Sequence, residues 1–232
     1  MALKYEIVGD PASCYWLIQI MDEQEETEFP KELGSISAGL MDTDYCFIKL
    51  TGVDWNMDLT PWITPAVFGK RDFGHGAEET RREMERILHR IAVLNRQHIA
   101  DKCLVLGGYS LAGLFSLWCA YNSKMFFGVA AASPSVWYPN WIDYVETHEC
   151  NCRRVYLSLG DREKCSKNEL VCQVEEKIRD QLAFLKRDPH VINATLVMNP
   201  GNHFQDAAIR MASGFVWVMK EQVILDEAMR RG

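Results

Sequence analysis

Short, wholly apolar runs alternate along the chain with longer stretches in which apolar positions recur every three or four residues. The runs CYWLIQI (14–20), YCFIKLTG (45–52), KCLVLGG (102–108), FFGVAAAS (126–133), RVYLSLG (154–160) and INATLVMNPG (192–201) are bounded by turn residues, which predicts buried strands. Between them, AEETRREMERILHRIAVLNRQH (77–98) sets Met84, Ile87, Leu88, Ile91 and Leu94 on one stripe and crowds acids at its start, the pattern of an amphipathic helix. LAGLFSLWCAYN (111–122) is small and apolar throughout, which predicts a helix buried on most sides. KNELVCQVEEKIRDQLAFLKR (167–187) and DAAIRMASGFVWVMKEQVI (206–224) supply two further helices. MDEQEETEFPKE (21–32) reads as an acidic loop, and VDWNMDLTPWITPAVFGKRDFGHG (53–76) as a long irregular loop rich in Pro, Gly and Trp. Loops of that length in a compact domain usually carry function.

Strands alternating with helices imply crossover connections and a mostly parallel sheet, so the expected class is α/β, with one domain over residues 1–232. Ligands in such sheets sit beyond the carboxyl ends of the strands. Candidate chemistry is therefore sought just after each apolar run.

Composition narrows the functions further. The chain has 25 basic against 32 acidic side chains, a formal net charge of −7, which argues against nucleic acid and anionic membranes as partners. Acids and a proline interrupt the first thirty residues, so they read as neither signal peptide nor membrane span, and a cytoplasmic location is the expectation. Reduced thiols are expected for the 8 cysteines. The spacings among Cys150, Cys152, Cys165 and Cys172 do not match a usual zinc pattern, so these read as surface thiols and no metal is expected.

The segment VLGGYSLAGL (105–114) places Ser110 between a strand and a helix, among residues small enough for the two backbones to approach. The usual nucleophile turn is G-x-S-x-G; here the string is G-x-S-x-A-G, with Ala112 in the last glycine's place and Gly113 next. A serine hydroxyl needs a base to take its proton. Of the 6 histidines, His89 and His98 fall on the amphipathic helix, and His203, in NPGNHF after the last strand, is the candidate base. An acid must orient that imidazole. Asp161 follows the strand RVYLSLG directly and is the first choice, with Glu163 in reserve. Oxyanion donors are expected from the N–H of Leu111, at the helix start, and of Val53, with Gly52 and Asp54 as neighbours. Trp55, Trp62, Phe68 and Phe73, with Trp137 and Tyr138 in SPSVWYPNW, are candidate pocket walls or simply packing.

GGYSLAGLFSLW, LSLGDREKCSKN, NPGNHF and LTGVDWNMDLTPW, in order and across nearly the whole chain, resemble the esterases of the α/β-hydrolase superfamily, in the branch of esterase-D-like and siderophore-esterase-like proteins. The resemblance implies a three-layer α/β-hydrolase fold, with a mostly parallel central sheet and helices on both faces. It implies serine hydrolysis of a small-molecule carboxylic ester without metal or organic cofactor. Ser110 would be nucleophile, His203 base and Asp161 (or Glu163) acid, forming an acyl-enzyme. Some relatives are acyltransferases, and thioester hydrolysis or a non-catalytic binding role would use the same frame. Only about 20 residues separate FFGVAAAS from RVYLSLG, so little or no lid is expected. The apolar C-terminal helix could dock on the body or on a second copy of the chain, as in a homo-oligomer.

Overall fold

A computed structural model describes residues 3–41, 43–67 and 69–231, with side chains described as far as Lys220. Seven strands form one sheet in the order β1-β3-β2-β4-β5-β6-β7. They are β1 (Lys4–Gly9), β2 (Tyr15–Ile20), β3 (Cys46–Thr51), β4 (Cys103–Tyr109), β5 (Gly128–Ala132), β6 (Arg154–Gly160) and β7 (Asn193–Asn199). All neighbouring pairs run parallel except β1, which lies antiparallel on β3 at the edge.

Successive residues of a strand point to opposite faces, and each face has its own apolar layer. Leu17, Phe47, Val105 and Tyr156 pack with helix α1 (Glu23–Leu40) and with the last helix, α7 (Ala207–Arg231). Trp16, Ile48, Leu104 and Leu106 pack on the other side with α3 (Ala77–Leu94), α4 (Ser110–Asn122), α5 (Trp141–Thr147) and α6 (Val174–Arg187). Helix α4 is buried from Leu111 through Tyr121, as its composition predicts. The stripe Met84, Ile87, Leu88 and Ile91 is buried, but Leu94 is exposed where α3 ends.

The acidic stretch 21–32 is a helix and not a loop. Asp22 accepts from the Glu25 N–H at 2.8 Å, and the Glu25 carboxylate accepts from the Asp22 N–H at 3.1 Å. This reciprocal capping satisfies donors that a helix start would leave open. Pro30 hides the element in the sequence, because proline is disfavoured inside helices. The 53–76 loop contains a single helical turn, α2 (Trp55–Asp58), and is pinned by a bridge between Thr64 and Phe73. Cys150 and Cys152 are buried under the sheet's edge layer, and not on the surface, whereas Cys165 and Cys172 are exposed. The connection between β5 and β6 holds only α5 as regular structure.

Pro30 is exposed and has no N–H for the Glu26 carbonyl one turn back. Pro30→Ala is expected to restore that bond and stabilise the protein by about 2 kcal/mol, after allowing for the freer unfolded chain. Urea unfolding checks this, and an unchanged or lower midpoint would contradict it.

Candidate active site

Strand β4 passes into α4 with no residue between them. The turn requires Ser110 to adopt φ 56°, a left-handed conformation that few non-glycine residues take. A side chain at Gly108 would meet the Ala112 carbonyl oxygen at 2.3 Å and the Gly113 nitrogen at 2.8 Å, so strand and helix backbones touch there. A side chain at Gly113 would stand 3.0 Å from the Gly108 carbonyl oxygen and 3.1 Å from the Pro134 Cα, a tight but less severe approach. The first N–H groups of α4 have no partner within the helix and lie at its positive end.

His203 sits in the turn between β7 and α7, and its Nε2 lies 3.0 Å from Ser110 Oγ. Its Nδ1 lies 2.8 Å from Glu163 Oε2. A carboxylate can only accept, so Nδ1 carries the proton and Nε2 is left to accept from the serine hydroxyl. The Tyr109 hydroxyl donates a hydrogen bond to the His203 carbonyl at 2.7 Å and so holds the turn.

The carboxylate on the imidazole is Glu163, and not Asp161, the first choice from sequence. Asp161 still continues the β6–β7 ladder, its N–H bonded to the Asn199 carbonyl. Its side chain accepts from the Gly201 N–H at 2.9 Å and so ties down the histidine turn. Two residues later a short 3-10 turn swings the longer Glu163 side chain inward. Glu163 Oε1 accepts from Ser133 Oγ and from the Gly160 N–H, each at 2.7 Å. Burial works to raise the Glu163 carboxyl, but the adjoining imidazole and these hydrogen bonds outweigh it and hold it below the ordinary range.

Arg210 is a member of the site that sequence reasoning missed. It is 2% exposed and donates to Glu163 Oε1 at 3.3 Å, Ser133 Oγ at 3.1 Å and Tyr109 Oη at 3.2 Å. Its other arm donates to the carbonyls of Pro200 and Asn202, both at 3.2 Å. One guanidinium thus binds the carboxylate and the backbone of the histidine turn together. The available signal was a lone arginine inside the small, apolar stretch AAIRMASGF.

Two cavities meet at Ser110 and His203. The larger, about 560 Å³, is walled by Leu111, Phe73, Trp137, Val171 and Val174. The smaller, about 160 Å³, runs towards α1. Trp55 lines both, as expected of a wall residue. Trp62 lines neither: its indole N–H donates to the Pro139 carbonyl at 2.9 Å, and its ring packs among Tyr138, Trp141 and Tyr144. Tyr138 is likewise packed within the core, and Phe68 lies outside the described residues. Val53 packs against the core and is not among the residues lining either cavity; the neighbouring Asp54 N–H is bonded to Asp58 Oδ2 at 2.8 Å. Leu111, at the start of α4, lines the larger cavity. The other five histidines are exposed.

No family model matches the chain, and no curated protein matches it in sequence. Solved structures do. An IroE-like serine hydrolase from Shewanella oneidensis superposes with a TM-score of 0.74 at 14% identity, over 93% of this chain and 75% of that one. A siderophore hydrolase, EstA, from Aspergillus nidulans gives 0.67 at 17% identity, over 94% of this chain and 90% of that one. An α/β serine hydrolase without lid from Xanthomonas campestris gives 0.59 at 15% identity, over 95% of this chain and 89% of that one.

The chain has the α/β-hydrolase fold. The turns that carry His203, Glu163 and Ser110 stand at the carboxyl ends of the parallel strands β7, β6 and β4. Among the described residues no helix is long and apolar enough to cross a membrane, and no group of three His, Cys, Asp or Glu is placed to hold a metal ion.

A carboxyl held below its ordinary value of 4.5 stabilises the fold above that pH, and the stabilisation is lost as pH falls through the lower folded-state value. The stability difference between the native chain and Glu163→Gln, from urea unfolding, is expected to be largest near neutrality and to shrink below about pH 4.5. A difference independent of pH would contradict the assignment.

Proposed function

We propose that the chain is a serine hydrolase of small-molecule carboxylic esters, acting as one domain. The observation that carries this is the continuous hydrogen-bonded line from Ser110 through His203 to Glu163. The serine hydrolases among the similar folds support it.

In the proposed reaction Ser110 Oγ attacks the ester carbonyl while His203 Nε2 takes its proton. Glu163 stabilises the imidazolium that results. The oxyanion is held by the Leu111 N–H and a second donor from the turn Gly52–Trp55, Val53 remaining the named candidate. His203 then gives its proton to the departing alkoxide, which leaves as the alcohol and an acyl-serine. Water attacks that acyl group, passes a proton to His203, and the acid is released with Ser110 restored. An alcohol or amine in place of water would make the same intermediate a transferase step, and a thiol leaving group would make it a thioesterase.

A fluorophosphonate probe is expected to label the native chain and not Ser110→Ala; absence of labelling on folded native protein would point to a binding role. His203→Ala is expected to abolish para-nitrophenyl acetate turnover. Glu163→Gln is expected to lower kcat by about 10³–10⁴-fold, as loss of the orienting acid does elsewhere. Asp161→Asn removes the charge but keeps an oxygen able to accept from the Gly201 N–H, and is expected to cost about tenfold or less. The reverse order of losses would make Asp161 the acid.

A further inference from the structure

The smaller cavity is chemically unlike the larger. One wall is the N-cap and first three turns of α1, which present Asp22, Glu25, Glu28 and Glu32 at three- and four-residue spacing, in a cavity that Ser110 and His203 also line. No lysine or arginine lines it among the described residues. Glu32 lines this cavity and is 2% exposed; Gln19 hydrogen-bonds its carboxyl, but Oε1 has no hydrogen-bond partner among the described residues. A buried carboxyl atom left unsatisfied costs free energy that a donor entering the cavity would recover. The nearby cations are committed elsewhere. Lys49 is paired with Glu6 at 2.6 Å and Glu26 at 3.0 Å, and Arg210 is held on Glu163.

Resting on the ester-hydrolase reading, we infer that this cleft takes an alkylammonium group carried by the ester, while the apolar remainder occupies the larger cavity. The substrate class is then an ester with a cationic amine on one side of the scissile bond and a bulky apolar group on the other. Such a cation would satisfy Glu32 Oε1 and meet Glu25 and Glu28 on the same helix face. Neutral or anionic esters would leave Glu32 Oε1 without a partner and so be discriminated against.

The protonation of the cleft gives the inference a signature. Burial pushes the Glu25 carboxyl up to about 8, against the hydrogen bond from the Asp22 backbone, and pushes Glu32 well above its ordinary value. Glu25 is then largely protonated near neutrality when the cleft is empty. An arriving ammonium favours their charged forms, so its binding releases protons and strengthens as pH rises towards 8. The groups facing them are Asp22 and Glu28 on α1, the neutral Gln19 on β2, the paired Lys49 on β3, Tyr109 on β4 and His203.

The test compares n-butylammonium with n-butanol by calorimetry on the native chain, which requires no turnover. The ammonium is expected to bind at least about tenfold tighter at pH 8, with heats in two buffers that reveal proton release. Two matched ester pairs then locate the charge: the para-nitrophenyl esters of ε-aminocaproate and heptanoate for the acyl side, and 6-aminohexyl hexanoate with heptyl hexanoate for the alcohol side. One pair is expected to favour the cationic member by about tenfold in kcat/KM. That ratio is expected to collapse in Glu32→Gln and to fall in the more exposed Glu28→Gln, which guards against misfolding of the first variant. Equal binding of butylammonium and butanol, or a ratio unmoved by both variants, would overturn the inference. Failure of fluorophosphonate labelling at Ser110 would instead remove the hydrolase reading, and calorimetry would still decide whether the cleft binds cations.

Discussion

The backbone contact between Gly108 and Ala112 is the constraint on which the site depends. A side chain at Gly108 would lie 2.3 Å from a carbonyl oxygen, so only glycine lets β4 turn into α4 without a spacer. The turn leaves Ser110 at φ 56°, a conformation that costs on the order of 1–3 kcal/mol for a residue with a side chain. The surrounding core offsets it: α4 is buried over most of its length between the sheet and its neighbours. The strain therefore holds a hydroxyl at a fixed height above the strand ends, beside a row of N–H groups that no helical bond consumes.

The partners of that hydroxyl are fixed with equal economy. His203 belongs to an exposed turn, and nothing in the turn itself would aim its ring. Tyr109 holds its carbonyl, Asp161 holds the Gly201 N–H, and Arg210 holds two further carbonyls while also binding Glu163. A buried Arg–Glu pair adds little net stability, because desolvation offsets the Coulombic gain. Its contribution here is register: it sets the distance between the acid turn after β6 and the histidine turn after β7.

Much of this was legible in the chain. The strand-forming runs, the buried character of α4 and the stripe of α3 follow from periodicity, and all three strand-end turns were found by looking after apolar runs. What escaped depends on contacts between distant residues. Nothing local distinguishes Asp161 from Glu163, since the choice is made by a 3-10 turn and by Ser133 and Arg210, far away in sequence. Trp62 could not be sorted from Trp55 by composition, because the partner that buries it, Pro139, lies beyond the next two strands. The helix α1 was concealed by Pro30, although the Asp22–Glu25 capping pair was visible. That miss mattered, since α1 supplies the acidic wall that makes the two cavities differ.

An ester poised at Ser110 would thus lie between an aromatic cavity and a carboxylate cleft, with its carbonyl at the start of α4. The central claim is that Ser110, activated through His203 by Glu163, carries the acyl group. Rapid mixing with a para-nitrophenyl ester, acid quenching and peptide mass mapping test it most directly. A single acyl adduct on the peptide containing Ser110, scarcely formed in His203→Ala, is the expected result. Turnover with the acyl group on another residue, or with none trapped on Ser110 under burst conditions, would contradict the account.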